Sequence, residues 1–383
     1  MANETTAQSL NETIARLAHR EPSPNPVISC FVNVGPDGSG RPTFQTFLKK
    51  AFSERIRSFP EGSESRSRLE ADRDRIMAHL GTELDPASLA VAIYASEGDG
   101  LWEAHSFRAK FDDHRLIVGT VPHLYPLVKL ADQAPLYAVC VADSTQARLF
   151  VCGLGEVLTE EDFLAPEPID RTRVAGWAEL RYQSRIEEHI KKNAREILDR
   201  LAQIVDSHEV DYVILAGDIT ILSELRRQLT PAIAEKVIDV ERIPIDAAKQ
   251  EILRRTIDTV RQTEIEDSRR LADQVIDRFR AGGLAVAGLD PTIDALNMEQ
   301  VDILLLLESF DGEVGWQCPK CRVLGRRPSP RECLFCQTPA EEIDLREAMV
   351  RRAERTGRRV EIVEEHAGLS SLDGVGALLR YRA

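Results

Sequence analysis

Four cysteines constrain the folding of this chain more than any other feature. In CPKCRVLGRRPSPRECLFC, two residues separate Cys318 from Cys321, eleven follow, and two separate Cys333 from Cys336. Each C-x2-C turn presents two thiolates from one tight knuckle, and two knuckles complete a tetrahedron, so residues 316–338 are expected to form a zinc ribbon. Four protein ligands leave no open position, which makes that zinc structural. A pair of disulfides is the alternative, disfavoured by a reducing compartment and by the short loops. Lys320, Arg322, Arg326, Arg327 and Arg331 face only Glu332 in charge, giving a basic finger that suits RNA backbone or is merely solvated. The other cysteines, Cys30, Cys140 and Cys152, lie singly in apolar runs and read as small buried hydrophobes.

Around this insertion the pattern alternates strand and helix. NPVISCFVNV is a strand, residues 44–80 are helical and charged, and LAVAIYASEGDGLWEAHSF is two strands joined by a turn. The Gly-rich GPDGSGRP after the first strand lacks the lysine of a phosphate loop and reads as a turn. PLYAVCVADSTQARLFVCGLGEV is a hairpin, TEEDFLAPEPIDRTRV a loop, and DYVILAGD a strand followed by a helix. One or two long helices are expected over 246–280, with Gly282 and Gly283 as a stop. The last hundred residues supply the strands VDILLLLES, RRVEIVEE and GVGALLRYR and a helix over 340–356. At roughly 100 to 200 residues per domain, the expected fold is α/β in three domains, residues 1–130, 131–280 and 281–383. Each is a mixed sheet with packed helices, the last carrying the ribbon.

A net charge of −14 argues against a nucleic-acid binder of the whole-surface kind and leaves only local basic patches. The longest apolar runs, such as LAVAIYA and ILLLLE, are too short to span a membrane. The polar, acid-bearing start lacks the pattern of a secretory signal, so a cytoplasmic location is expected.

One such basic patch begins at AGWAELRYQSRIEEHIKKNAREI. Ile186, Ile190, Ala194, Ile197, Leu201, Ile204 and Val205 recur at steps of three and four, which predicts a long helix with one apolar face. Arg181, Arg185, His189 and Lys192 share a different face. From Arg171 to Arg195 seven basic residues stand against three acids. That face suits phosphates, or is a solvated face braced by Glu187 with Lys191 and Glu188 with Lys192. Trp177 at its head either packs on Tyr182 or a strand, or stacks on an unpaired base. Asp211 and Asp218 bracket one strand but do not by themselves make a two-metal nuclease site.

The order of loop, Gly-containing tip, L-R-Y-Q-S-R, long basic helix and D-Y-V-I-L-A-G-D resembles the middle domain of the archaeal and eukaryotic class I peptide release factors and the Pelota-type rescue factors. V-D-I-L-L-L-L-E, the cysteine ribbon, V-E-I-V and D-G-V-G-A-L-L-R-Y resemble that family's third domain. The resemblance covers residues 160–383; the N-terminal third is unlike the family's codon-reading domain and no Asn-Ile-Lys-Ser occurs. It implies a bacterial homologue, in a group that includes hibernation proteins of the Balon kind.

The family's Gly-Gly-Gln is replaced here by Ala175, Gly176 and Trp177, with Glu179 at the last place of a Gly-x-x-Glu. The resemblance thus implies a ribosome-binding factor in the A site, its loop towards the peptidyl transferase centre, acting on idle or stalled ribosomes without hydrolysis. The alternative is a peptidyl-tRNA hydrolase using the degenerate loop. Gly176 and Trp177 would form the tip, and Arg171, Arg173, Arg181, Arg185 and Lys192 would bind rRNA. A translational GTPase is the further partner the resemblance brings in.

Overall fold

The computed structural model describes residues 3–4, 7–35, 43–164 and 177–382. The chain is mixed α/β and divides into two compact units, one of residues 1–133 with 265–383 and one of 134–264. The N-terminal and C-terminal domains expected from sequence therefore fall in the same unit. Among the described residues no helix is long and apolar enough to cross a membrane.

The first part of unit 1 runs β1 (Asn3–Glu4), α1 (Ala7–Ala18), β2 (Val27–Asn33), α2 (Phe44–Arg57), α3 (Glu64–Thr82), β3 (Ala90–Ser96), β4 (Leu101–Phe107), β5 (Arg115–Gly119) and α4 (Tyr125–Asp132). Its sheet has the order β1-β4-β3-β2-β5. The helical pattern over 44–80 breaks into two helices because Ser63 caps the second, its hydroxyl accepting from Arg66 N–H at 3.3 Å. Phe44, Leu48, Phe52 and Ile56 recur every four residues along α2 and are buried against Ile28, Cys30 and Val32 of β2. Each such side chain contributes roughly 1.5–3 kcal/mol.

Unit 2 contains β6 (Tyr137–Ala142), β7 (Gln146–Gly153), β8 (Glu156–Leu164), α5 (Trp177–Ser207), β9 (Tyr212–Gly217), α6 (Ile219–Gln228), α7 (Pro231–Ala234), β10 (Val237–Glu241) and the start of α8 (Lys249–Arg280). The sheet order is β10-β9-β6-β7-β8, with β10, β9 and β6 parallel and β7 and β8 antiparallel additions. β8 corrects the sequence reading, which took TEEDFL as loop. Its acids suit an edge strand because Glu160 accepts from Arg148 at 2.7 Å and also pairs with Lys249. The pattern over 246–280 is one helix of 32 residues.

Unit 1 resumes with β11 (Ala285–Ala287), α9 (Leu289–Asn297), β12 (Val301–Leu307), β13 (Val314–Gln317), β14 (Leu324–Arg326), β15 (Glu341–Asp344), α10 (Leu345–Arg355), β16 (Arg359–Val363), α11 (Ala367–Ser370) and β17 (Val375–Leu379). One sheet has the order β11-β17-β12-β16 and a second the order β14-β13-β15. The helix expected from 340 starts at Leu345 instead. The residues before it pair with β13, and Asp344 then caps α10 by accepting from Glu347 N–H at 3.2 Å.

Charges on α10 join the two sequence-distant halves of unit 1. The Glu347 carboxylate accepts from the Leu124 N–H at 2.9 Å and the Tyr125 N–H at 3.0 Å, at the N-terminus of α4, where the helix dipole favours an anion. His123 Nδ1 lies 3.3 Å from it. Arg351 contacts Glu347 at 3.2 Å and also donates to the carbonyls of Leu17 and Pro122. Lys129, 5 % exposed, is held between Asp112 and Glu308, the latter at 2.6 Å. Apart from Glu347 and Arg351, four residues apart on α10, nothing local in the sequence marks these residues as partners.

Candidate functional site

Helix α5 carries the first group of expected site residues. Ala194, Ile197, Leu201, Ile204 and Val205 are buried against β6, β7 and β9, as their spacing requires, and Ile190 packs beside them. Asn193 is buried on this side too, donating from Nδ2 to the Ser144 carbonyl at 2.9 Å. Gln228 of α6 donates to the Lys191 carbonyl at 3.0 Å and so ties the two helices.

The opposite face of α5 looks outward. Lys192 is exposed there and its ammonium is 4.0 Å from Glu196, an exposed pair worth at most about 0.5 kcal/mol, so a phosphate meets little competition. Among the described residues neither Glu187 with Lys191 nor Glu188 with Lys192 forms an ion pair. Trp177 is the first residue of the helix, and Ala178 and Glu179 are already helical. Arg181 and Arg185 lie further along it. The side chains of Trp177, Arg181 and Arg185 lie outside the described residues, as do Arg171, Arg173 and Gly176 altogether.

The parallel strands end beside this helix, and their carboxylates are occupied. Asp143 closes the β6–β7 turn, accepting from the N–H groups of Thr145 at 2.7 Å and Gln146 at 2.9 Å. Asp218 caps α6 through Thr220 N–H at 2.8 Å. Asp211 stands at the other end of β9 and accepts from Leu136 N–H at 3.2 Å. A six-residue strand is about 20 Å long, so Asp211 and Asp218 do not converge on a metal. Gly217, at φ +124°, closes this end of the sheet: a Cβ there would stand 1.9 Å from the Ala142 carbonyl oxygen. Gly217→Ala is expected to cost roughly 2–5 kcal/mol, read as a lower midpoint in urea unfolding.

The four ribbon cysteines come together, with Sγ atoms all within 4.8 Å of one another. Cys318 is 3.3 Å from Cys336 and Cys321 is 3.4 Å from Cys333, both across the knuckles and both too long for a disulfide bond. The two knuckles repeat one turn. Arg322 N–H donates to the Cys318 carbonyl at 2.8 Å and Gln337 N–H to that of Cys333 at 2.9 Å. Arg322 and Gln337 both take positive φ, 62° and 59°. The Cys321 N–H points at Cys318 Sγ from 3.4 Å. Thr338, through its hydroxyl and its backbone N–H, holds the Cys336 thiol down to about 6.

Sulfurs around a tetrahedral zinc stand about 3.8 Å apart, so this donor set fits a metal ion closely. Cys30, Cys140 and Cys152 are the contrast: each is buried in a strand, and burial pushes its thiol up to about 12.

Three of the ribbon's four arginines are paired with acids, which leaves Arg331 and Lys320 of the basic finger that the sequence offered as one reading. Arg322 binds Glu21 at 2.7 Å, Arg326 takes Glu313 in a fork at 2.7 and 2.8 Å, and Arg327 binds Glu342 at 2.8 Å. Their partners lie far along the chain or on neighbouring strands, which a count of local charge does not include. Leu334 and Phe335, between the second pair of cysteines, are exposed.

Residues 122–261 match the family model described as bacterial archaeo-eukaryotic release factor family 10. An uncharacterized protein of Mycobacterium tuberculosis is 26% identical over 270 residues, 68% of this chain and 70% of that protein. The peptide chain release factor subunit 1 of Thermoplasma acidophilum is 27% identical over 151 residues, 36% of each chain. Among solved structures, Dom34 of S. cerevisiae, described as a translation termination-like factor interacting with Hbs1, aligns over 76% of this chain and 80% of its own with 12% identity and a TM-score of 0.40. A score that low fixes no residue's role. The family match spans all of β6 to β10, including α5.

Proposed function

From a middle segment that is release-factor-like, we propose that this chain is a translation factor that binds the ribosome's A site and holds idle or stalled ribosomes without cutting peptidyl-tRNA. The observation that carries the reading is the family match over the unit built around α5, the helix whose outer face bears Lys192 and whose first residue is Trp177. In this reading Gly176 and Trp177 form the tip towards the peptidyl transferase centre, and Arg171, Arg173, Arg181, Arg185 and Lys192 contact rRNA phosphates.

The absence of hydrolysis follows from the residues at the tip. Trp177 stands where a release factor's glutamine loop would be, and Glu179 is part of the helix rather than of a loop that positions water. An ionised carboxylate there donates no hydrogen bond and repels RNA phosphate. A tryptophan face instead stacks on an unpaired base, worth about 1–3 kcal/mol. The proposal includes zinc as the ion of the four cysteines, a translational GTPase as second partner, and the cytoplasm as the location.

Pelleting with ribosomes is the test. Trp177→Ala is expected to weaken co-sedimentation about fivefold or more, while peptide stays on peptidyl-tRNA with either protein. Release of labelled peptide by the unaltered chain would replace this reading with the hydrolase, and pelleting unchanged by Trp177→Ala would remove the stacking role.

A further inference from the structure

We propose that the free edge of β5 takes up an extended peptide segment of a partner protein as an added strand, at a site separate from α5 and independent of the function proposed above. β5 ends the sheet β1-β4-β3-β2-β5, so only one of its two edges is paired. Asn33 N–H, at the end of β2, points to His114 on the β5 side, and the next residue, Val34, donates to the Leu89 carbonyl on the β3 side. That alternation, carried back along β2, makes Arg115, Ile117 and Gly119 the residues of β5 that bond to Phe31, Ser29 and Val27. The N–H and C=O groups of Leu116 and Val118 therefore point away from the sheet. Among the described residues none is hydrogen-bonded to them.

Natural sheets protect an open edge with charges, proline, a bulge or a covering element. Among the described edge strands of five residues or more, the others show such a device. β8 carries Glu160, Glu161 and Asp162 and an irregular register, β10 is irregular between Val237 and Asp239, and the Ile362 N–H of β16 is taken by Asp132 at 2.8 Å. Beyond Arg115, β5 reads Leu-Ile-Val-Gly, with an unbroken register and no acid, lysine or proline.

A groove of about 520 Å³ within unit 1 follows this edge and touches both Leu116 and Ile117. Neighbouring side chains of a strand leave opposite faces of the sheet, so the space wraps the edge rather than covering one face. Phe47 and Ala51 of α2 wall it on the Leu116 face. His123 walls it on the other, where its N–H donates at 2.8 Å to Ser29, the residue opposite Ile117. Charge does not choose the occupant: Arg55 and Arg115 are equalled by Glu54 and Asp344, and Arg346 already donates to the Phe310 carbonyl and lies over the Tyr125 ring. Backbone hydrogen bonding does. Outward N–H and C=O groups on every second residue are matched by another extended chain, and the apolar wall of Phe47 and Ala51 favours apolar side chains at alternate positions of it. A second copy would present its own β5 only between the same two walls, which hold two such edges apart where a lone segment enters.

The test uses the full chain and peptides selected on it from a random display library, then resynthesised with fluorescein. Selected peptides should alternate apolar residues and slow amide exchange at Leu116 and Val118. N-methylation of alternate peptide residues should abolish binding in one register and spare it in the other. Val118→Pro removes one outward N–H and leaves the β2 ladder intact, so it should weaken binding about tenfold, as for a lost hydrogen bond whose partner stays unpaired. Ala51→Glu, which alters the wall and not the edge, should weaken the same peptides and serves should Val118→Pro fold poorly. Peptides that bind Val118→Pro and Ala51→Glu as well as the unaltered chain, or bind in both N-methylation registers, overturn the proposal, as does a library that yields no peptide slowing those two amides. Slow exchange there in the dilute chain alone, or slowing only as the chain dimerises on concentration, also overturns it. Trp177→Ala should leave peptide binding unchanged, so failure of this site and failure of ribosome binding are read separately.

Discussion

Glu347→Ala is expected to lower the stability of the chain by about 3–5 kcal/mol, the range for removing one partner of a buried charge network. The carboxylate is only 11% exposed and it compensates several groups at once. Without it the N–H groups of Leu124 and Tyr125 lose their acceptor at the head of α4, and Arg351, itself 7 % exposed, keeps a charge facing only carbonyls. Glu347→Gln keeps an acceptor but not the charge and should fall between. Glu342→Ala is the control: its pair with Arg327 is exposed on both sides, so it should change stability by no more than about 1 kcal/mol. Urea unfolding followed by circular dichroism compares the three. A Glu347→Ala midpoint equal to that of Glu342→Ala would show that the network adds nothing to stability.

That network also marks where sequence reading stops. The elements of the middle unit were legible because each carries its own period: α5 repeats its apolar residues at three and four, and DYVILAGD is an unbroken apolar run between turn residues. The cysteine cluster was legible because its spacing is itself the geometry of two knuckles. Glu347 looks like any acid in the first turn of a helix, and the backbone N–H groups that it accepts from lie 222 and 223 residues away. β8 was missed for a related reason. Glu160 and Asp162 depress strand propensity, and what rescues the strand is Arg148 across the sheet, which a local window does not contain. Arg322 and Arg326 of the ribbon are counted as free charge in a local reading because Glu21 and Glu313 are likewise outside the window.

Removing the zinc proposed for the four cysteines should have the other large effect, confined to the ribbon. Three strands of four, three and four residues make up its sheet, and Leu334 and Phe335 contribute nothing to a core because they are 82% and 76% exposed. The buried contribution comes mainly from Trp316, Leu324, Cys318 and Cys333, far too little to hold two knuckles in register alone. Gly325 shows how tight this small core is, since a Cβ there would meet the Trp316 ring at 2.4 Å. The proposed zinc would supply what is missing; in small finger peptides it contributes on the order of 10–16 kcal/mol at neutral pH. Purified chain is therefore expected to carry about one zinc, and a strong chelator should open the segment to trypsin at Arg322, Arg326 and Arg331, Arg327 being protected by the proline that follows it. Cys318→Ser should do the same without chelator, while β12, β16 and β17 stay folded because Leu304, Leu305, Leu306 and Ala377 are buried in a core of their own. Restored zinc should close the segment in the unaltered chain and not in Cys318→Ser. Equal trypsin resistance with and without chelator, in a chain that binds no zinc, would leave the knuckles to be held by protein contacts alone and would overturn the assignment.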